Sequence, residues 1–263
     1  MVELSPQELV LRDLLRAERV KPPSVLEFAR SVGFEPEEWQ AQLLQSDAQQ
    51  VVLNCHRGAG KSAVVSILAL HRMVTRPNYE ILVLSRTDKQ AMELVYNLKR
   101  AFNRLPNRPE PTKENDHELY LPNGSRLTVV PCTEPRGYHV DMMIEDEASY
   151  VPHEVYMAAR PTVIAKRGRY LMLSTPKGKV GHFYDVFENQ KGWLKIKATW
   201  RDSKRFPPEE LARIEGERAY GDEWFRQEYE CEFLQTSGQI IAETSIMAAR
   251  TDGIVLDDVS DVW

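Results

Sequence analysis

Residues 50 to 66 constrain this chain more than any other stretch. Gln50-Val51-Val52-Leu53-Asn54-Cys55 is an apolar, β-branched run of strand length. His56-Arg57-Gly58-Ala59-Gly60-Lys61-Ser62 follows, and Ala63-Val64-Val65-Ser66 opens an apolar helical run. Glycines at 58 and 60 let the backbone turn sharply and aim its N–H groups inward. Lys61 can then reach terminal phosphates, Ser62 can ligate Mg²⁺, and the following helix offers its positive end to an anion. The usual pattern for such a loop has glycine where this chain has Cys55, so the match is incomplete at its first position. Its setting between a buried strand and a helix is the one a phosphate cradle needs.

A chain of 263 residues can hold one large α/β domain, or one domain with a small appendage. The cysteines, at 55, 132 and 231, are too few and too scattered for a disulfide framework or a zinc site, which fits a reducing compartment. Residues 1 to 5 lack a basic leader with an apolar core, and no later run nears the roughly 20 apolar residues of a membrane span. A soluble intracellular protein is expected. The net charge of −5 argues against a polyanion partner, yet it hides an asymmetry. Residues 163 to 205 carry eleven Lys/Arg against three acids, and residues 206 to 263 carry four Arg against fourteen acids. Such segregation leaves room for a basic surface, although a charge run is more often just a solvated face.

Ser5-Pro6-Gln7-Glu8 is a capping box that predicts a helix to about residue 19. A second helix starts near Ser24 and ends at Gly33, and a third starts at Pro36. On that third helix Trp39 packs inward, while the amide of Gln40 either packs or reads an adenine edge. Residues 80 to 85 form a second strand, and 87 to 105 a long amphipathic helix. Arg100 and Arg104 lie near its end, as helix C-terminal charge or as phosphate contacts. Asn123-Gly124 within residues 118 to 130 predicts a hairpin. Residues 141 to 148 and 169 to 176 are apolar strands that stop in polar residues. A helix over 181 to 190, a strand over 193 to 200 and helices over 207 to 220 and 222 to 232 follow. Strands alternating with helices imply a mainly parallel central sheet flanked by helices, with ligands bound beyond the strands' C-terminal ends. Lys61, Ser62, Ser85, Asp146, Glu147, Ser174 and Thr175 should then face one cleft.

Asp146 ends an apolar strand 85 residues after Lys61, where an acid can hold Mg²⁺ opposite Ser62. Glu147 follows directly, placed to polarise a water for in-line attack on a γ-phosphate. The plainer alternative is that both acids cap the next helix. Ser174 and Thr175 either contact the γ-phosphate and its attacking water or form a turn before Pro176.

Taken together, these stretches resemble the ATPase domain of the large terminase subunit of tailed bacteriophages, the motor that packages double-stranded DNA into a prohead. Trp39-Gln40 resembles the family's adenine motif, and residues 56 to 62 its deviant phosphate loop with Arg57, Gly58, Ala59, Gly60, Lys61 and Ser62 around the nucleotide. Met142 to Glu147 resembles the acid strand with its catalytic glutamate, and Ser174-Thr175-Pro176 the coupling motif, with Thr175 in a catalytic role. Arg136-Gly137-Tyr138-His139-Val140-Asp141 resembles the segment before the acid strand, and residues 225 to 233 the segment that closes the ATPase module. The resemblance covers about residues 36 to 235. It implies a P-loop NTPase of the additional-strand, catalytic-glutamate class that uses ATP and Mg²⁺. It further implies double-stranded DNA, a portal protein and a small terminase subunit as partners, with self-association into a ring, a pentamer in the family. The place of action would be the host cytoplasm, docked transiently on the prohead and absent from the mature virion.

The organisation expected is a helical appendage over 1–34, the ATPase core with a C-terminal helical lid over 35–235, and a linker or tail over 236–263. The family continues into a nuclease, for which the residues after Phe233 leave no room, so DNA cleavage is not expected. Two arginines compete as the finger that stabilises charge in hydrolysis. Arg57 lies in the loop and would act in cis. Arg136 lies before the N-terminal end of the acid strand, away from its own cleft, and would act on a neighbouring subunit. Arg100, Arg104, Lys166 and Arg167 are the candidate DNA contacts. The competing readings are a helicase-like or DNA-repair ATPase, whose second motor domain has no counterpart here, and a non-motor ATP-dependent switch, which would have little use for Glu147.

Overall fold

In the computed structural model of the chain, residues 22–132, 137–204 and 206–235 are described. The expected helix over 5 to 19, Arg136 and the tail over 236–263 lie outside them. Helix α1 (Val25–Ser31) starts at the capping box that Ser24 makes with Glu27. Helix α2 (Glu38–Gln45) leads into β1 (Gln50–Cys55), the glycine loop and α3 (Lys61–Thr75). Then come β2 (Glu80–Ser85), α4 (Asp88–Phe102), β3 (Lys113–Glu114), β4 (Glu118–Tyr120) and β5 (Arg126–Pro131). Strand β6 (Met142–Asp146), α5 (His153–Ile164), β7 (Arg169–Ser174), α6 (Gly181–Glu188) and β8 (Leu194–Ala198) complete the sheet layer. Helices α7 (Pro208–Gly216) and α8 (Asp222–Glu228) follow.

The eight strands run in the order β3-β4-β5-β2-β6-β7-β1-β8. Pairing is parallel from β5 through β8, and β4 pairs antiparallel with both of its neighbours, β3 and β5. One strand, β7, thus separates the phosphate-loop strand β1 from the acid strand β6, with Leu53 level with Leu173 and Ile144 level with Leu171. Helices on both faces explain why these strands read as continuous apolar runs. Alternate residues feed two cores. Val51, Leu53, Ile81, Val83, Ile144 and Leu171 pack under α1 to α4. Val52, Leu82, Leu84, Met143, Tyr170 and Met172 pack under α5 and α6. Leu68 of α3 is fully buried, so Leu68→Ala should cost about 2–5 kcal/mol.

Three elements differ from the sequence expectation. Helix α5 was not foreseen, because Pro161 inside it interrupts the helical signal. The expected helix over 207 to 220 is α7 followed by a 3₁₀ turn at Glu217–Tyr220. Strand β3 has only two exposed residues and carries no apolar pattern. A third small core, formed by Trp200, Ile214 and Phe225, gives the C-terminal helices a packing centre of their own.

Candidate functional site

The C-terminal ends of the parallel strands open into a cleft of about 690 Å³. Arg57, Gly58, Ala59, Gly60, Lys61 and Ser62 form one wall, and Asp146, Glu147 and Thr175 lie across from them. Both loop glycines adopt left-handed backbone, Gly58 with φ 79° and Gly60 with φ 82°, which a side chain would strain. Lys61 is buried, and its ammonium donates to the carbonyls of Cys55 and His56, each at 3.3 Å. Those bonds fold the lysine back over its own loop.

Asp146 is 4 % exposed at the end of β6, and its Oδ1 accepts the amide of Glu147 at 3.0 Å. Burial, and then the Glu147 charge, push its carboxyl up to about 7, although Lys61 pulls the other way. Glu147 itself has φ 53° and ψ 46°, a left-handed conformation that costs a non-glycine residue on the order of 1–2 kcal/mol. The strain is held by Ser174 Oγ, which donates to Glu147 Oε2 at 3.2 Å, and by Ser149, whose Oγ lies 2.5 Å from Ser174 Oγ and donates to the Thr175 carbonyl. Backbone strain maintained by neighbouring bonds is characteristic of residues placed for chemistry.

The other predicted residues are distributed as follows. Ser85 is buried and donates to the Thr87 carbonyl, and its neighbour Arg86 lines the cleft instead. Trp39 and Gln40 are buried but do not line the cleft. Trp39 Nε1 donates to Glu37 at 3.1 Å, and Gln40 accepts the Glu37 amide at 2.9 Å and donates to the Ala59 carbonyl at 3.3 Å. Gln40 therefore buttresses the phosphate loop. The segment after Arg136 leads into the N-terminal end of β6, opposite the cleft. All four candidate DNA contacts are exposed, and Arg104 also donates to the Val32 carbonyl at 3.3 Å. Lys166 is paired with Glu80 at 2.6 Å and Asp141 at 3.3 Å.

Sequence reasoning missed Arg86, Gln90, Glu93, Asn97, Tyr150 and Glu228, all of which line the cleft. Arg86 could have been found as the residue beyond a strand end. Glu228 could not, since nothing in the acidic C-terminal composition singles it out. Among the described residues no helix is long and apolar enough to cross a membrane.

An α/β sheet with one strand between the loop strand and the acid strand, and a glycine-lysine-serine loop facing paired acids, defines a P-loop NTPase fold. The sequence also matches the profile of "Terminase large subunit, T4likevirus-type, N-terminal" over residues 54–247, and the chain belongs to that family. It is 27% identical to the terminase large subunit of Escherichia phage T5 in an alignment of 208 positions that covers 75% of this chain and 47% of the relative. With that of Thermus phage G20c it is 27% identical in a gapped alignment of 265 positions that covers 85% of this chain and 53% of the relative. The chain thus spans about half the length of these curated relatives. Among solved structures, the ATPase domain of the Thermus phage P74-26 large terminase superposes with a TM-score of 0.68 at 25% identity, covering 82% of this chain and 100% of that one. The HK97 bacteriophage large terminase has the same fold, with a TM-score of 0.67 at 14% identity over 80% of this chain and 54% of that one.

Proposed function

We propose that this chain is the ATP-hydrolysing motor module of a viral genome-packaging machine, a large-subunit terminase ATPase that drives double-stranded DNA into a prohead. The observation that carries the proposal is Glu147, held in a strained conformation at the rim of a lysine-bearing phosphate cleft and one residue from a buried acid. Family membership and the likeness to a terminase ATPase domain support the same reading.

In this scheme the loop amides and Lys61 hold the phosphates of ATP, and Ser62 and Asp146 would hold Mg²⁺, which supplies neutralising charge. Glu147 takes a proton from a water as its oxygen bonds to the γ-phosphorus, and the bond to ADP breaks. Arg57 in cis, or Arg136 from a neighbouring subunit, stabilises charge on the phosphoryl oxygens, an effect that typically contributes about 10³ to 10⁵ in rate. Ser174 and Thr175 link Glu147 to β7 and so to the segment that would sense loss of the phosphate. The module would work as a ring, a pentamer, docked on the portal in the host cytoplasm and supplied with DNA by the small subunit. Arg100, Arg104, Lys166 and Arg167 would contribute to DNA contact.

Steady-state ATP turnover with and without double-stranded DNA tests the proposal. Stimulation by DNA is the expected result. Binding of ATP without turnover in either condition would point to a switch and overturn it.

A further inference from the structure

Three neighbouring strands, β2, β6 and β7, each deliver one residue to a common point at the rim of the cleft. Arg86 follows the end of β2, Tyr150 closes the 3₁₀ turn Ala148–Tyr150 after β6, and Lys177 stands in the segment after β7. The Arg86 guanidinium carbon lies 5.1 Å from the centroid of the Tyr150 ring, and the Lys177 ammonium nitrogen 4.5 Å. Both cations are exposed, and among the described residues neither pairs with a carboxylate. The other cations of the cleft are engaged, Lys61 by two carbonyls and Arg57 by Glu228.

A ring face holds an exposed cation weakly, and two like charges drawn to one ring repel each other. An anion placed between them would remove that repulsion. Acids are near as well. The charges of Glu147 and Glu228 reach the Tyr150 hydroxyl, and Glu93 lines the same cleft, yet none of the three is paired with Arg86 or Lys177.

The place of these cations in the sheet indicates which anion they suit. Strands β7 and β6 separate β2 from β1, the strand that carries the phosphate loop. At about 4.8 Å per strand, the end of β2 stands roughly 14 Å from that of β1, with Glu147 between them. In hydrolysis as proposed above, water attacks from the Glu147 side, so the phosphoryl group leaves ADP in that direction, toward Arg86. The two products are then anions in one cleft and repel each other.

We propose that Arg86, assisted by Lys177, forms a site for the inorganic phosphate product on the β2 side of the cleft, so that phosphate departs past Tyr150 while ADP stays on the phosphate loop. The proposal rests on reading the cleft as a site of ATP hydrolysis. Gln90 and Asn97, which line the α4 wall beside Arg86, carry side-chain amides that suit the same anion. Lys177 stands two residues after Thr175, whose carbonyl accepts the Ser149 hydroxyl, so a phosphate held here engages the segments after β6 and β7 together.

The test is equilibrium dialysis of radiolabelled inorganic phosphate against the full chain loaded with ADP and Mg²⁺, at constant ionic strength, with ADP affinity measured in parallel. The wild type should bind phosphate, and Arg86→Ala should weaken that binding on the order of tenfold, as loss of a charged donor does, with a smaller loss in Lys177→Ala. ADP affinity should be the same in all three, and Arg86→Lys should recover part of the phosphate binding. Both side chains are exposed, so neither substitution removes a packed group. Phosphate binding that ignores both substitutions would overturn the site, as would loss of ADP in step with phosphate. An Arg86→Ala chain that binds phosphate normally but double-stranded DNA weakly would also overturn it, by assigning the arginine to a nucleic-acid backbone. A wild type that binds ADP but no phosphate rejects the site alone, whereas one that does not bind ADP rejects the nucleotide reading and the site with it.

Discussion

On one face of β6, Glu145 is completely buried beneath α5 and α6, whereas Asp146 and Glu147, the next two residues, open onto the phosphate cleft. Strand alternation puts Glu145 and Asp146 on opposite faces, and the left-handed backbone of Glu147, just past the end of β6, takes the third acid out of that alternation. Glu145 accepts the Tyr170 hydroxyl at 2.8 Å and meets His182 Nε2 at 2.6 Å. His182 stacks on Tyr156, with ring centroids 4.3 Å apart, and Arg160 donates to the Tyr156 hydroxyl at 3.0 Å. Burial, and then Glu145, push the Tyr170 hydroxyl well above its ordinary range, so it stays a donor. Across the sheet, Asp146 has one backbone partner and Glu147 sits in a strained backbone. The contrast separates a satisfied carboxylate that holds β6, β7 and α6 together from two acids that line the cleft.

The largest effect should come from the buried face. Glu145→Ala leaves two buried polar groups without their partner, each costing about 1–3 kcal/mol, so denaturant unfolding should show a loss of roughly 2–6 kcal/mol. A loss below 1 kcal/mol would erase the contrast. On the cleft side, Lys61→Ala should lower ATP turnover by about 10² to 10³-fold with little change in stability, as removal of one preorganised donor does elsewhere. A fall in stability that matched the fall in activity would make Lys61 a structural residue.

The pH dependence sharpens the same comparison. Asp146, pushed from 3.8 to about 7, keeps its proton in the folded nucleotide-free protein at pH values where the unfolded chain has lost it. The folded state therefore binds more protons between about pH 4 and 7, and stability should fall as pH rises through that window, by up to about 1.4 kcal/mol per unit. Asp146→Asn should flatten that slope, and Glu145→Gln should leave it in place. An unchanged slope in Asp146→Asn would remove the burial argument. The smallest effect is expected at Gln40. With both ends of its amide committed to Glu37 and Ala59, Gln40→Ala should weaken ATP and GTP binding alike, by less than about tenfold for two bonds of ordinary strength. A selective loss of ATP binding would place Gln40 at the base instead.

Much of this arrangement was legible in the sequence where local pattern and chemistry coincide. The loop at 56 to 62, the acid strand and the strand ending at Ser174 each join an apolar run to polar residues, and the parallel sheet brings Lys61, Asp146, Glu147 and Thr175 to one cleft. Residues whose role depends on chain geometry were not legible. Glu228 comes to Arg57 only through the path of α8, and the buried function of Glu145 depends on strand phase and on Tyr170 and His182 from later elements. Helix α5 was hidden by its proline, and Gln40 was read for its amide without the carbonyl of Ala59 that engages it.

The most direct test is a single-turnover quench of Glu147→Gln beside Glu145→Gln and wild type, with nucleotide binding confirmed for each. Glu147→Gln is expected to bind ATP and release no phosphate over times in which the wild type has consumed all of it, while folded Glu145→Gln still hydrolyses. Phosphate released by Glu147→Gln at the wild-type rate would contradict it.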